Sequence, residues 1–340
     1  MSSNAAIVVT SISAPNVSLK ALANGARTNG LDFLVMGDTK SPSSFKLEGC
    51  DFYDVTRQER TGFSYAKLCP TRSYARKNIG YLVAMRGDAP LIVETDDDNL
   101  PRDGFWHERH LKVEAHRLAA ASWANIYSFF TDVTMWPRGL PLDAVLAPLP
   151  DFDSLPVSTA ECPIQQGLAD GDPDVDAIYR LTLPLPQNFR ADRRIILDAG
   201  TWCPFNSQNT TWWPQVYPLM YLPAYCSFRM TDIWRSFVAQ RIAWANGWSI
   251  LFHEPTVWQD RNDHDLMRDF SDEVPGYLNN RKMSEALDQL DLKRGIDQLG
   301  ANLLLCYEEL IAKEWVGEKE LGLVTAWTAD IAQLQKRDRV

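Results

Sequence analysis

No stretch of the 340-residue chain approaches the ~18 uninterrupted apolar residues that a membrane-spanning helix needs. The apolar run Ala5 to Val9 is too short for a signal core, and Met1-Ser2-Ser3-Asn4 puts no basic residue ahead of it. The expectation is a cytoplasmic protein without a transmembrane segment, able to meet a membrane-bound acceptor from the cytoplasmic face. Paired cysteines are also lacking. Cys50, Cys69, Cys162, Cys203, Cys226 and Cys306 are scattered and none stands in C-x-x-C spacing, which argues against structural zinc and a disulfide framework. Buried free thiols in a reducing compartment remain. Positive charge is in deficit. Thirty-four Lys and Arg face 44 Asp and Glu, for a net charge of −10 and a pI near 5.1. That excludes the broad basic field of a nucleic-acid binder. An acidic chain that binds a nucleotide needs local help: a divalent cation, a helix N-terminus or a few placed basic side chains. Internal repeats and low-complexity tracts are absent.

What is present is enough apolar material for a large core: 45 % of residues are hydrophobic. The length suits one large α/β domain with a helical appendix, or two intimate domains. Ala5 to Thr10 is a β-branched run that reads as a buried parallel strand. Val17 to Ala26 has helical spacing and closes at Asn29-Gly30. Phe33 to Met36 is a second buried strand, stopped by Gly37-Asp38. This β-α-β opening predicts an open, doubly wound sheet. Ser73 to Met85 is a further helix with Ser73 as its cap, and Leu91-Ile92-Val93 a third strand. Trp136 to Pro163 is Pro-rich and reads as loops crossing one end of the sheet. Ile195 to Leu197 is a strand. Thr201 to Pro223, rich in Trp, Tyr, Pro, Asn and Gln, has the composition of a binding surface or of an aromatic core corner. Ile233 to Trp244 is a helix, Ser249 to Phe252 a strand ending at His253, and Lys282 to Leu334 is helical throughout.

The third strand runs directly into Asp96-Asp97-Asp98, with Pro101 ending the segment. Neighbouring carboxylates raise one another's cost of ionisation, so such a run favours a cation. All-oxygen ligation suits Mn²⁺ or Mg²⁺ shared with substrate phosphates. A solvated acidic turn is the competing explanation. Position at the carboxyl end of a buried strand, where open α/β sheets bind ligands, favours the site. Pro101 stands where a calcium loop requires glycine, which removes the EF-hand.

Ser73-Tyr74-Ala75-Arg76-Lys77-Asn78-Ile79-Gly80-Tyr81-Leu82, followed by Leu91 to Pro101, resembles the STELLO family of glycosyltransferase-like proteins. More distantly it resembles the plant reversibly glycosylated polypeptides, the UDP-arabinopyranose mutases. Further matching blocks are Gly37 to Lys40, Met135 to Leu142, Gln165 to Ala177 and Phe228 to Arg235. The resemblance implies a GT-A fold, Rossmann-like, with a mostly parallel open sheet and flanking helices. Residues 1–280 form its domain, divided into a nucleotide-sugar and metal half (1–135) and an acceptor half (136–280), and residues 281–340 are a C-terminal helical extension. It also implies a D-x-D-type metal site at Asp96 and Asp98, with Asp97 in the nucleotide site.

Looser assignments follow. Asp38 ends the second strand, where GT-A proteins hold base or ribose; a turn aspartate is the alternative. Arg76 and Lys77 offset phosphate charge or lie on a solvated helix face, and Asn78 belongs to the same motif. Asp232, at a helix start, is the candidate general base, or else an N-cap. His253 is the candidate third metal ligand, with His264 the other histidine in reach. Asp172, Asp174 and Asp176 form a second acidic cluster that shapes an acceptor site or only a turn. Trp202, Trp212, Trp213 and Tyr217 suit a sugar-stacking wall or a core. Trp234, Arg235, Gln240 and Arg241 are pocket candidates. The expected partners are a nucleotide-sugar donor, UDP-sugar favoured, and a glycan or lipid-linked acceptor in polysaccharide synthesis, with no nucleic acid and with homo-oligomerisation left open. Two alternatives to sugar transfer stand beside it: a sugar-nucleotide mutase using Arg72, Arg76 or Arg138, and a non-catalytic scaffold.

Overall fold

A computed structural model describes residues 5–120, 122–260 and 265–337. Its centre is an eleven-stranded sheet. The strands are β1 (Ala6–Thr10), β2 (Asp32–Met36), β3 (Asp51–Tyr53), β4 (Ile92–Thr95), β5 (Asn99–Pro101), β6 (Lys112–Leu118), β7 (Val157–Glu161), β8 (Ile164–Gly171), β9 (Arg194–Leu197), β10 (Asn209–Trp212) and β11 (Ile250–Gln259). Their order is β3-β2-β1-β4-β10-β8-β11-β9-β6-β7, with β5 pairing off this path to β11. The first four are mutually parallel. Beyond them, β10 is antiparallel to both β4 and β8, while β8 and β11 return to the first direction. The strand β7 shares that direction, and β5, β6 and β9 oppose it. This is the mostly parallel α/β sheet of a GT-A-like fold. The chain leaves β1 for β2 on one side and reaches β4 on the other, so a switch point opens between the carboxyl ends of β1 and β4.

The helices are α1 (Val17–Asn29), α2 (Val55–Glu59), α3 (Ser64–Leu68), α4 (Lys77–Arg86), α5 (Ala177–Thr182), α6 (Thr231–Ala245), α7 (Leu266–Asp288), α8 (Leu299–Ala312) and α9 (Glu320–Arg337). Alternation along β1 and β2 separates two cores. Ile7, Val9, Phe33 and Val35 face α1 and its Leu19 and Leu22. Ala6, Val8, Leu34 and Met36 face the larger layer, with Ile79 and Leu82 of α4, Phe237 of α6 and Trp327 of α9. Asn16 caps α1 through its side chain, which accepts from Leu19 N, and Gly30 ends it in the left-handed region at φ 64. The Ser73 cap is also found, over a single 3₁₀ turn (Tyr74–Arg76) that leads into α4.

Close approach of α4 to the sheet depends on Gly80. A Cβ there would stand 2.6 Å from Val8 Cγ1 and 3.0 Å from Met36 Cγ. Gly80→Ala is therefore expected to cost about 1–3 kcal/mol through overpacking, read as a lower urea midpoint; an unchanged midpoint would mean that α4 shifts freely.

Several elements differ from the sequence expectation. The Pro-rich span contains β7, and Thr201 to Pro223 contains β10 and a buried 3₁₀ segment (Pro214–Met220). The last helices begin at Leu266, so the boundary at 280/281 falls inside α7. They are also not an appendix: Met283, Leu287, Leu303, Tyr307 and Trp327 belong to the larger core. Asp330 of α9 accepts the backbone N–H groups of Ser64 and Tyr65, at 3.0 and 2.8 Å. Among the described residues no helix is long and apolar enough to cross a membrane.

Candidate functional site

Strand alternation deals the acidic residues after β4 to different partners. Glu94, fully buried, points into the larger core. It pairs with Arg235 at 2.8 Å, accepts the Trp212 indole N–H at 2.8 Å and receives the Tyr81 hydroxyl. Asp96 points the same way, nearer the rim. Its Oδ1 accepts from the Tyr74 hydroxyl at 2.6 Å and from Lys77 Nζ at 3.0 Å. Asp97 points to the α1 side, where the Ser11 hydroxyl donates to its carboxylate at 2.5 Å and Asn16 Nδ2 donates to its carbonyl at 2.7 Å. Asp98 lies against the end of β11, and Gln259 Nε2 donates to its Oδ2 at 3.2 Å. Its other oxygen, Oδ1, is buried with no hydrogen-bond partner.

The electrostatics follow from this placement. Burial, then the charges of Asp96 and Asp97, push the Asp98 carboxyl up to about 7. Burial also raises Asp97, against the Ser11 hydrogen bond. A buried carboxylate oxygen without a hydrogen-bond partner is an acceptor that a ligand cation could take. The donor set fits a hard divalent ion of the Mn²⁺ or Mg²⁺ kind held by one or two carboxylates plus ligand oxygens. It does not amount to a closed protein cage: among the described residues no three His, Cys, Asp or Glu side chains are grouped to hold a metal.

Lys77 is completely buried, and its ammonium faces four oxygens: Tyr74 Oη at 2.8 Å, Thr95 O at 2.8 Å, Asp96 Oδ1 at 3.0 Å and Ser207 O at 3.1 Å. Its three protons are committed, so it fixes Asp96 instead of reaching for phosphate. Arg76 and Asn78 are corrected outright. The Arg76 guanidinium is buried on Gln58 Oε1 and the Cys69 and Pro70 carbonyls. Asn78 bonds Tyr65 Oη and both backbone groups of Leu222. Both hold α4 in place and neither faces the cleft. Asp38 does reach the rim, half-buried, accepting from the N–H groups of Thr39 and Ser73 at 2.6 and 3.1 Å. Ser41 joins Asp38 N to Ser11 O, so Asp38, Ser11 and Asp97 lie on one edge.

His253 is elsewhere. The strand does not end there: β11 absorbs Pro255 with a register shift between His253 and Val257 and continues to Gln259. Six residues of strand, roughly 20 Å, separate His253 from Gln259, the residue that meets Asp98. It lines a separate cavity of about 200 Å³ with Arg109, Arg194 and Glu254. Burial, then Arg109, lower its pKa. His264 lies outside the described residues.

Asp232 is locked. Arg138 spans it with Nη1 and Nη2, each at 3.1 Å, while Nε and Nη2 hold Asp174 at 2.8 and 2.9 Å. The Ser207 backbone N–H adds a third bond to Asp232 at 3.2 Å. Although Asp232 is buried, the Arg138 guanidinium holds its carboxyl well below the ordinary range. Such a carboxylate is a weak base, so the base assignment gives way to a structural one. The second acidic cluster is likewise spent internally: Asp172 on Arg180, Asp174 on Arg138, and Asp176 capping α5 and accepting from Trp136. Trp202, Trp212, Trp213 and Tyr217 are all buried, which removes the stacking wall. Trp234, Arg235, Gln240 and Arg241 bond Asn280, Glu94, Ser236 and the Leu287 and Leu290 carbonyls, and so build core. Ser11, Asn16, Ser207 and Gln259 contribute without having been singled out; the position of Ser11 just past β1 was the available signal.

Residues 229–337 match the family model of the STELLO glycosyltransferases. Over that stretch, about a third of its length, the chain is similar to the STELLO glycosyltransferases. Over 293 residues it is 29 % identical to the probable glycosyltransferase STELLO2 of Arabidopsis thaliana, an alignment covering 80 % of this chain and 38 % of that protein. Over 271 residues it is 28 % identical to the probable glycosyltransferase STELLO1 of the same plant, covering 74 % and 35 %. The chain thus spans well under half the length of these relatives. The family match begins two residues after Ser227 and runs through α6, β11 and the C-terminal helices, and so includes the stretch from Lys282 on, for which the sequence offered no assignment beyond helix.

Proposed function

We propose that this protein is a glycosyltransferase that takes a sugar from a nucleotide-sugar donor, UDP-sugar favoured by the resemblance, to an acceptor hydroxyl of a glycan or lipid-linked chain. The carrying observation is the buried, unpartnered Oδ1 of Asp98 at the switch point of the sheet. In this reading Asp96 and Asp98 hold a divalent cation, which when bound stabilises charge on the departing nucleotide diphosphate. Lys77 and Tyr74 fix the Asp96 carboxylate, and Ser11 and Asn16 fix Asp97, so little reorganisation is left for the ligand. Asp38 stands at the edge for ribose or base. The six cysteines are unpaired, which supports a reducing compartment.

The mutase reading has less support, because Arg76 and Arg138 are committed to protein partners and only Arg72 remains exposed. A scaffold without chemistry has no use for the unpartnered carboxylate oxygen. The test is incubation with Mn²⁺ and a panel of UDP- and GDP-sugars. Donor hydrolysis that falls at least about 100-fold in Asp98→Ala is expected, given what charge-stabilising groups contribute. Ring interconversion without nucleotide release would replace transfer with the mutase, and no binding of any sugar nucleotide with or without metal would end the proposal.

A further inference from the structure

Phe228 is an exposed aromatic on a rigid mount. The residue is 60 % exposed, and single exposed apolar residues are ordinary. Its surroundings are not. The 3₁₀ turn Phe228–Met230 is pinned on both sides. The Ser227 hydroxyl donates to the Asp272 carbonyl, and Arg229 Nε meets the fully buried Glu273 at 3.0 Å. Arg138 donates to the Arg229 carbonyl. Met230 is buried, against Gly276 of α7. A turn this constrained had every opportunity to bury its aromatic ring. Instead the ring stands edge-on to Tyr74, centroids 6.2 Å apart, and the Tyr74 hydroxyl is the one bonded to Asp96.

We infer that Phe228 is the platform on which a pyranose ring of the carbohydrate acceptor stacks, one ring away from the Asp96 carboxylate. The inference rests on the transferase reading above and adds to it a substrate class and a specificity-determining residue. The sugar's C–H face is apolar and packs on an aromatic face, while its hydroxyls stay free for polar groups. The ring's fixed mount means little ordering is lost on binding. The acceptor, and not the donor sugar, is assigned because Phe228 comes from the segment before α6, on the Tyr74 side of the acidic run. Asp97, assigned to the nucleotide, turns to the opposite, α1 face of that run, where Ser11 and Asn16 hold it. This ring also supplies the stacking surface that Trp202, Trp212, Trp213 and Tyr217, all buried, cannot.

The experiment is saturation-transfer NMR on the full chain with methyl hexopyranosides, methyl pentopyranosides and disaccharides as probes, beside a titration of UDP with Mn²⁺. Wild type is expected to bind at least one pyranoside. Phe228→Ala should weaken it about tenfold, the size of a stacked ring contact, Phe228→Trp should restore it, and UDP–Mn²⁺ affinity should be the same in all three. Equal pyranoside binding in Phe228→Ala, or none in wild type while UDP–Mn²⁺ still binds, overturns the platform alone. Loss of UDP-sugar affinity relative to UDP in Phe228→Ala overturns the acceptor assignment by giving the ring to the donor. Failure of both probes on wild type overturns the transferase reading as well.

Discussion

Arg138→Met is expected to destabilise the protein by about 3–5 kcal/mol, the cost of leaving buried charge unpaired. Arg138 is 5 % exposed and holds two carboxylates, Asp174 and Asp232, through four hydrogen bonds, with a fifth to the Arg229 carbonyl. Asn206 Nδ2 alone would remain on Asp174, at 2.9 Å, and the Ser207 groups on Asp232. Against a typical total of ~5–15 kcal/mol, the loss is a large share of the stability. Urea unfolding measures it, and Arg138→Met with Asp174→Asn and Asp232→Asn should recover much of it, since neutral amides tolerate burial better than orphaned charges. The pH dependence has a definite sign. Asp232 has a depressed folded pKa, so its contribution is present above the ordinary carboxylate range and lost as the pH falls through the lowered value. The acid limb of the wild-type stability curve should therefore be steeper than that of Arg138→Met. A shift below about 1 kcal/mol would mean that water reaches these groups as it reaches surface pairs.

Mn²⁺ affinity is expected to fall roughly twenty-five-fold between about pH 7.5 and about pH 5.5. The Asp98 carboxyl sits at about 7, and below that value a cation must displace its proton, about tenfold in apparent affinity per pH unit. The metal-free protein gives the opposite-facing half of the linkage. A folded pKa raised above the unfolded one makes stability decline as pH rises from the ordinary carboxylate range to about 7. Added Mn²⁺ should therefore raise the unfolding midpoint more at pH 8 than at pH 6. Asp98→Asn should abolish both effects. Calorimetric titration and thermal melts read them, and an affinity independent of pH over this range would show that Asp98 is ionised without metal.

The β1-α1-β2 opening and the acidic run after β4 were legible because their signals are local: uninterrupted Ile and Val, a closing Gly30, and three carboxylates where a strand stops. The middle of the sheet was not. Along β10, Asn209, Thr210 and Thr211 look like loop, yet all three are buried. Gln166 and Thr256, 44 and 47 residues from their partners, satisfy Thr210 and Asn209. His253 reads as a strand end, and nothing nearby in the sequence signals the bulge that carries β11 on to Gln259. Asp232 was misjudged because its partner Arg138 is 94 residues away. Arg76 and Asn78 share a motif with Lys77, but only Lys77 turns toward Asp96. Helical phase over three consecutive residues decides this, and phase at a 3₁₀-to-α junction is not readable from side-chain type.

The cap that Asp330 places on α3 bears on how the protein is made. Tyr65, whose N–H Asp330 accepts, receives Asn78 of α4 through its own hydroxyl, one residue from the lysine that fixes Asp96. During synthesis Tyr65 emerges 265 residues ahead of that acceptor. The nascent N-terminal half must therefore wait with Ser64 and Tyr65 solvated and α4 loosely seated. A translation arrest before α9 is complete would release a chain whose acidic run is translated but whose supporting helix is not yet locked down.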